Sequence, residues 1–172
     1  MNGQPRAQLL TWRWQGGRPN DRLPSRPMTL ADHPPAIQLR GMPPRADPQL
    51  VLSDPVDPNQ DGYILSFHAE LTAAGLTATT DVVVAQDHYD LDAFFDRLVA
   101  SWRGWQGEQV WEALEHQMSI AASHDGLGHV RLRVTLRQDH LPDAWEASAT
   151  FVVDAGEDLR GLASRIARFL AS

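Results

Sequence analysis

The stretch His129-Val130-Arg131-Leu132-Arg133-Val134-Thr135-Leu136-Arg137 alternates polar and aliphatic side chains along its whole length. Residues two apart on a β-strand point to the same face of a sheet, so this period of two predicts a half-buried strand. We expect the four aliphatic side chains to face the core, and His129, Thr135 and the arginines to face solvent.

The segment from residue 144 to residue 154 is the predicted partner of this strand, because it alternates in the same way. Its inward positions are expected to be Trp145, Ala147, Ala149, Phe151 and Val153. Glu146 falls on the outward side. Opposite charges on neighbouring strands attract, so we expect Glu146 to pair with the arginine row of the first strand.

Four more strand segments precede this pair. Residues 63–71 and 76–84 alternate or are rich in β-branched side chains, and Ala74-Gly75 between them is typical of a tight turn. Residues 109–114 and 117–123 are shorter strand candidates. The sequence therefore predicts a sheet built largely from antiparallel neighbours.

Two segments have the 3.6-residue period of amphipathic helices. Asp90 is the predicted N-cap of the first, and Gly104 occupies the place of a left-handed C-cap. The apolar face of the first helix is Leu91, Phe94, Phe95, Leu98, Val99 and Trp102, and that of the second is Leu159, Leu162, Ala163, Ile166, Phe169 and Leu170. This order predicts an α+β fold, an antiparallel β-sheet with both helices packed on one face, without an evident internal repeat.

The first 48 residues differ in composition from the rest of the chain. Eleven of the twelve prolines lie within residues 1–58, and proline removes a backbone donor and disfavours regular structure. We therefore expect residues 1–48 to form a poorly ordered, Pro/Arg-rich arm and residues 49–172 to form a single α+β domain. A start of translation at Met28 or Met42 is an alternative explanation of the arm.

The charge of the chain is unevenly distributed. Residues 1–45 hold seven arginines and two acids, which gives +5, whereas residues 46–172 hold eight arginines and twenty acids, which gives −12. So acidic a body repels nucleic acid and anionic membranes, and we expect neither as a partner. A basic protein partner suits the charge better.

Composition excludes several kinds of chemistry. The chain contains no cysteine and no lysine, so it offers no thiol nucleophile, cysteine metal site or lysine Schiff base. It has no apolar run of about 18 residues that could span a bilayer and no signal peptide at its N-terminus. We expect a cytoplasmic protein that needs no cofactor.

Three of the six tryptophans fall within residues 102–111, among two glycines. Tryptophan and arginine are enriched at binding hot spots, so this segment is either a packed corner of the core or a protein-binding surface. We name Arg103, Trp105, Glu108 and Trp111 as its candidate binding residues. Trp105 lies between the glycines and is expected to be the most exposed tryptophan, and Glu108 is expected to pair with Arg103.

His124, Asp125 and His129 are the one cluster whose composition suits a metal ion. If they converge, the protein is a small hydrolase or a metal-dependent enzyme that uses these three residues. The simpler interpretation is structural, because Asp-Gly is a common turn pair and a strand-terminal histidine often donates to a nearby acceptor such as Glu108.

Six segments of the chain together carry a resemblance to a known family. They are Glu70-Leu71-Thr72-Ala73-Ala74-Gly75-Leu76-Thr77-Ala78, Phe95-Asp96-Arg97-Leu98, Trp102-Arg103-Gly104-Trp105-Gln106-Gly107-Glu108, Gly128-His129-Val130-Arg131-Leu132, Trp145-Glu146-Ala147 and Gly156-Glu157-Asp158-Leu159. The chain resembles domain-of-unknown-function family 6228, a family of small proteins from GC-rich actinobacteria, in these segments. Together they span roughly residues 60–172 in order. The resemblance implies a fold and a lineage without an assigned activity.

The chain also has a looser similarity to immunity proteins that neutralise secreted toxins, which share a helix, a glycine corner and a Gly-His strand start. These observations predict a non-enzymatic protein-binding domain with an immunity-like or regulatory role. The alternative is a small hydrolase or metal-dependent enzyme that uses His124, Asp125 and His129.

Overall fold

The computed structural model describes residues 36–40, 48–59, 64–84, 91–139, 141 and 143–171. Within these ranges the elements are β1 (Ile37–Arg40), β2 (Gln49–Val56), β3 (Ser66–Ala73), β4 (Leu76–Val83), α1 (Leu91–Ala100), β5 (Glu108–Glu112), β6 (Met118–His124), β7 (His129–Arg137), β8 (Glu146–Asp154) and α2 (Glu157–Leu170). The strands form two antiparallel sheets, ordered β1-β2-β3-β4 and β5-β6-β7-β8. The α+β class is confirmed, with two four-stranded sheets.

Strand β7 follows the predicted alternation. Its four aliphatic side chains are fully buried, and Arg137 lies opposite Glu146 of β8, where the guanidinium donates to the carboxylate at 2.9 Å. Thr135 is the exception, since it is 7% exposed. Its hydroxyl shares a hydrogen bond of 2.8 Å with Ser148, which satisfies the buried oxygen.

The β3–β4 hairpin turns at Ala74-Gly75, with Ala73 opposite Leu76. Gly75 has a φ of 76°, a left-handed conformation that glycine adopts without strain. The turn predicted at Ala74-Gly75 is therefore present. The alternation expected from residue 63 onward does not extend to Leu65, which is exposed, while its neighbour Ile64 is buried. Regular pairing of β3 with β2 is interrupted there by a register shift between Ser53 and Val56.

Strand β1 lies inside the stretch that we expected to be an arm. Ile37 and Leu39 are buried, and β1 pairs with β2 along its four residues. The folded part therefore begins before residue 49, because four alternating residues between proline pairs are enough for an edge strand. Residues 1–35 and 41–47, and the predicted N-cap Asp90, lie outside the described residues.

The core is one cluster formed by the inner faces of both sheets and by both helices. The predicted face of α2 is buried except for Leu170, which is half-buried. Phe67 of the first sheet meets Phe169 of α2 edge to face, with ring centroids 5.6 Å apart. The two halves of the chain thus share one core, and each large buried side chain contributes about 1.5–3 kcal/mol.

The chain repeats one arrangement twice, four antiparallel strands in sequence order followed by a helix. The helices retain a common pattern, because Asp90 to Leu98 and Asp158 to Ile166 both read Asp-Leu-x-x-apolar-x-x-Arg-apolar. The strands show no such match, which explains why no repeat is evident from the sequence. None of the helices in the described ranges is long and apolar enough to cross a lipid bilayer.

Candidate functional site

The tryptophan segment begins where α1 ends. After Ala100 the chain continues in a turn, in which Gly104 N–H donates to the Ser101 carbonyl at 2.8 Å. Gly104 and Gly107 have φ values of 126° and 77°. These positive values favour glycine at both positions of the corner. The prediction that Gly104 is the C-cap of the helix is wrong, because α1 ends at Ala100, four residues earlier.

The three tryptophans differ in burial in an order that the sequence did not predict. Trp102 is 46% exposed and Trp111 is 3% exposed, whereas Trp105 is half-buried against the core. Trp102 leaves the apolar stripe because α1 ends two residues before it. The expectation that Trp105 would be the most exposed of the three is therefore wrong.

Arg103 stacks on its neighbour. Its guanidinium carbon lies 4.9 Å from the centroid of the Trp102 ring, a cation–π contact worth about 0.5–1 kcal/mol at an exposed site. Glu108 does not pair with Arg103 as expected. It accepts from Arg133 of β7 at 3.3 Å, so its carboxylate belongs to the outer face of the second sheet.

His124, at the end of β6, fastens the corner to the second sheet. Its Nδ1 accepts from Gly126 N–H at 2.9 Å. Nε2 therefore carries the proton and donates to the Trp102 carbonyl at 3.2 Å. The ring also packs edge to face on Trp105, with centroids 5.2 Å apart. It lies so close to Gly104 that an added Cβ would be 3.4 Å from Nδ1.

Asp125 shapes the turn between β6 and β7. Its Oδ1 accepts from the backbone N–H of His129 at 3.1 Å and of Leu127 at 2.7 Å. These two bonds lower the pKa of Asp125 to about 2. Its Oδ2 lies 2.8 Å from Nδ1 of His129, so His129 pairs with Asp125 and not with Glu108.

The structure brings His124, Asp125 and His129 into one turn without directing them to one point. Both His124 nitrogens hold backbone groups, and both Asp125 oxygens hold the turn. Across the residues with described positions, no three acidic, histidine or cysteine side chains are arranged to hold a metal. The contacts present are those of a structural turn.

Leu127, at the tip of this turn, is 83% exposed. It follows Gly126, whose N–H donates to His124. The same histidine ring also bonds to the carbonyl of Trp102. We call Trp102, Arg103 and Leu127 the corner surface. The sequence Gly126-Leu127-Gly128 could have predicted that Leu127 is exposed, because a residue between two turn glycines lies outside the strands whose side chains form the core.

The arginine row of β7 is largely neutralised. Arg133 reaches Glu108 across the central strand β6, and Arg137 reaches both Glu112 and Glu146. The outward residues of β6 under these bridges are Ser119, Ala121 and Ser123. Their small side chains leave room for arginines to cross from one neighbouring strand to the other.

A family model described as "Family of unknown function (DUF6228)" matches residues 42–172. The match begins before β2 and includes both helices and the whole corner, and it starts earlier than the resemblance over residues 60–172 suggested. No curated protein and no solved structure matches the chain. The chain therefore belongs to DUF6228, a family whose function is unknown.

Proposed function

We propose that the protein is a non-enzymatic binding protein that recognises a protein partner through the corner surface. The observation that carries the proposal is an exposed tryptophan stacked with an arginine, together with an exposed leucine in the turn that His124 joins to the backbone of that tryptophan. Tryptophan and arginine dominate hot spots because they bury much area and make directed polar contacts.

The fixed backbone beneath these side chains supports the same proposal. His124 holds Trp102 and Gly126 in place through two hydrogen bonds, and Asp125 fixes the backbone at Leu127. A surface that is ordered before binding loses less conformational entropy when a partner arrives. The corner surface has this property.

The partner that we propose is a basic protein, and the role is regulatory or immunity-like. Residues 46–172 carry eight arginines against twenty acids, and a negative field of this size accelerates the approach of a positively charged protein. Contacts at the corner surface then supply most of the short-range affinity. Binding should therefore weaken as the salt concentration rises.

The test is quantitative affinity capture from the source cells with four forms of the full chain. They are the native chain, Trp102→Ala, Leu127→Ala and the control Leu114→Ala, which removes an equally large exposed side chain outside the corner surface. We expect a basic protein to be retained by the native chain and the control, and lost with both corner variants. Capture of the same proteins by all four forms, or of none, would contradict the proposal.

A metal assay of the purified native chain and His124→Ala completes the test. The enzyme alternative requires close to one equivalent of metal in the native chain and its loss in the variant. That result would overturn the non-enzymatic proposal even if a partner protein were captured.

A further inference from the structure

Among the strands of the described residues, β8 is the outer edge of the second sheet and pairs only with β7. Gln138 N–H donates to the Trp145 carbonyl and Ala155 N–H to the Gly128 carbonyl, which extends the β7–β8 pairing by one residue at each end. Along two antiparallel strands, hydrogen-bonded pairs of opposite residues alternate with pairs that share no hydrogen bond. The odd-numbered residues of β8 therefore direct their backbone groups to β7, and the even-numbered residues direct theirs outward.

This outward edge is long and open. Its even-numbered residues are Glu146, Ser148, Thr150, Val152 and Asp154. Within the ranges that the structure covers, none of their backbone groups bonds to another part of the chain on that side. A row of unpaired N–H and C=O groups is a template for another strand.

The centre of β8, between Glu146 and Asp154 at its ends, lacks the usual protections of an edge strand. The segment Ser148-Ala149-Thr150-Phe151-Val152 contains no charge, proline or glycine, and its pairing with β7 runs without a register shift. The other described edges are shorter or partly closed. β1 has four residues, β5 has five with glutamates at both ends, and β4 accepts a bond from Leu114 N–H at Val83.

We propose that β8 pairs antiparallel with β8 of a second copy of the chain, which joins two four-stranded sheets into one of eight strands. The backbone N–H and C=O groups that point outward belong to the even-numbered residues of β8. In the dimer, even-numbered residues of one copy must therefore lie opposite even-numbered residues of the other. With Ala149 at the twofold axis, Ser148 lies opposite Thr150 and Glu146 opposite Val152. Trp145, which is 39% exposed, then lies opposite Val153 of the partner and is covered.

The next two registers toward the C-terminal end of β8 are less favourable. With Thr150 at the axis, Glu146 would lie opposite Asp154, and like charges directly opposite destabilise a sheet. With Phe151 at the axis, Trp145 would lie beyond the paired strands, opposite the start of α2. The uncharged centre of β8 is thus complementary to itself with Ala149 at the axis. This surface does not include the corner surface, so the pairing goes beyond the proposed function.

The absence of cysteine from the chain makes the register directly testable. Opposite residues of a non-hydrogen-bonded antiparallel pair are close enough for a disulfide. We expect Ala149→Cys to form a covalent dimer on mild oxidation and the control Thr150→Cys to remain mostly uncrosslinked on a non-reducing gel. Cross-linking of the control in preference to Ala149→Cys, or of neither, would overturn the proposal.

Sedimentation over a wide range of protein concentration tests the pairing itself, without relying on a disulfide. We expect the native chain to form dimers and Thr150→Pro to raise the dimer dissociation constant about tenfold or more, because proline removes the outward donor. Thr79→Pro is the matched control, an exposed threonine on the outward edge of β4. A native chain that stays monomeric at every concentration, or an equal effect of both prolines, would rule the pairing out.

Discussion

At the scale of single residues, the corner depends on His124, a residue whose sequence context suggested a metal ligand. Its neutral ring accepts from one backbone group and donates to another on a different element. No local pattern could have shown this, because Trp102 lies 22 residues away and the contact exists only in the folded chain.

Replacing His124 by alanine should therefore destabilise the protein. Two hydrogen bonds and the ring contact with Trp105 are lost, and we expect the free energy of unfolding to fall by about 1–3 kcal/mol. The control is His116→Ala, which removes a half-exposed ring from a surface pair with Glu112 and should change stability by less than about 0.5 kcal/mol. Urea unfolding followed by circular dichroism measures both. Equal changes in the free energy of unfolding for the two variants would show that His124 does not stabilise the corner.

Trp105 offers a second test at this scale. Its indole N–H is buried and, among the described residues, has no hydrogen-bond partner, so the side chain contributes by packing. Trp105→Phe should cost less than about 1.5 kcal/mol, whereas Trp105→Ala should cost about 3–5 kcal/mol. Thermal unfolding of the two variants compares them. If the phenylalanine variant were as unstable as the alanine variant, the indole N–H of Trp105 would contribute a hydrogen bond in addition to packing.

At the scale of elements, the parts with the longest periodic patterns are those that the sequence predicts well. The alternation in β7 and the apolar face of α2 extend over more than two turns or pleats, so a single irregular residue does not hide them. Short elements and the ends of elements are not predicted well. β1 lies between proline pairs, and Trp102 fits the helical period although the helix has already ended.

The β6–β7 turn has a pH dependence that can be derived from Asp125. Its pKa is lowered from 3.8 to about 2 by the N–H groups of His129 and Leu127. Between these values the unfolded chain binds more protons than the folded one. The contribution of Asp125 to stability is therefore complete above pH 3.8 and is lost as the pH falls toward 2.

The measurement is urea unfolding of the native chain and Asp125→Asn at several pH values from neutral to 2. We expect the stability difference between them to shrink as the pH falls through this window, with no change above it. Asp143→Asn, which removes an exposed carboxylate from the β7–β8 connection, is the matched control for the loss of one negative charge. A difference that stays constant with pH would contradict the role assigned to the carboxylate.

At the scale of the whole molecule, two repeated halves share one core. Phe67 of the first half contacts Phe169 of the last helix, and the helices α1 and α2 pack on each other. Of the core members, the sequence predicted those of β7 and most of those of the helices from their periodicity, but none of those of β1 and β2. It did not predict that they divide between two sheets, because strand pairing depends on contacts between distant segments.

The shared core predicts one cooperative unfolding transition. Phe169→Ala should lower the free energy of unfolding by about 3–5 kcal/mol and leave a single transition, because removing the ring affects both halves. Tryptophan fluorescence and circular dichroism, recorded in the same titration, should coincide. Separate midpoints would show that the halves unfold independently. Leu114→Ala, an exposed position, should leave the midpoint nearly unchanged.

The order of strands in each sheet also has a kinetic consequence. Every strand pairs with the strand that precedes or follows it in its half, so each hairpin can close without waiting for a distant segment. Folding rates fall as the sequence separation of contacting residues grows. Each half should therefore assemble its hairpins quickly, and the docking of α2 against the first sheet, the longest closure, should set the rate of folding.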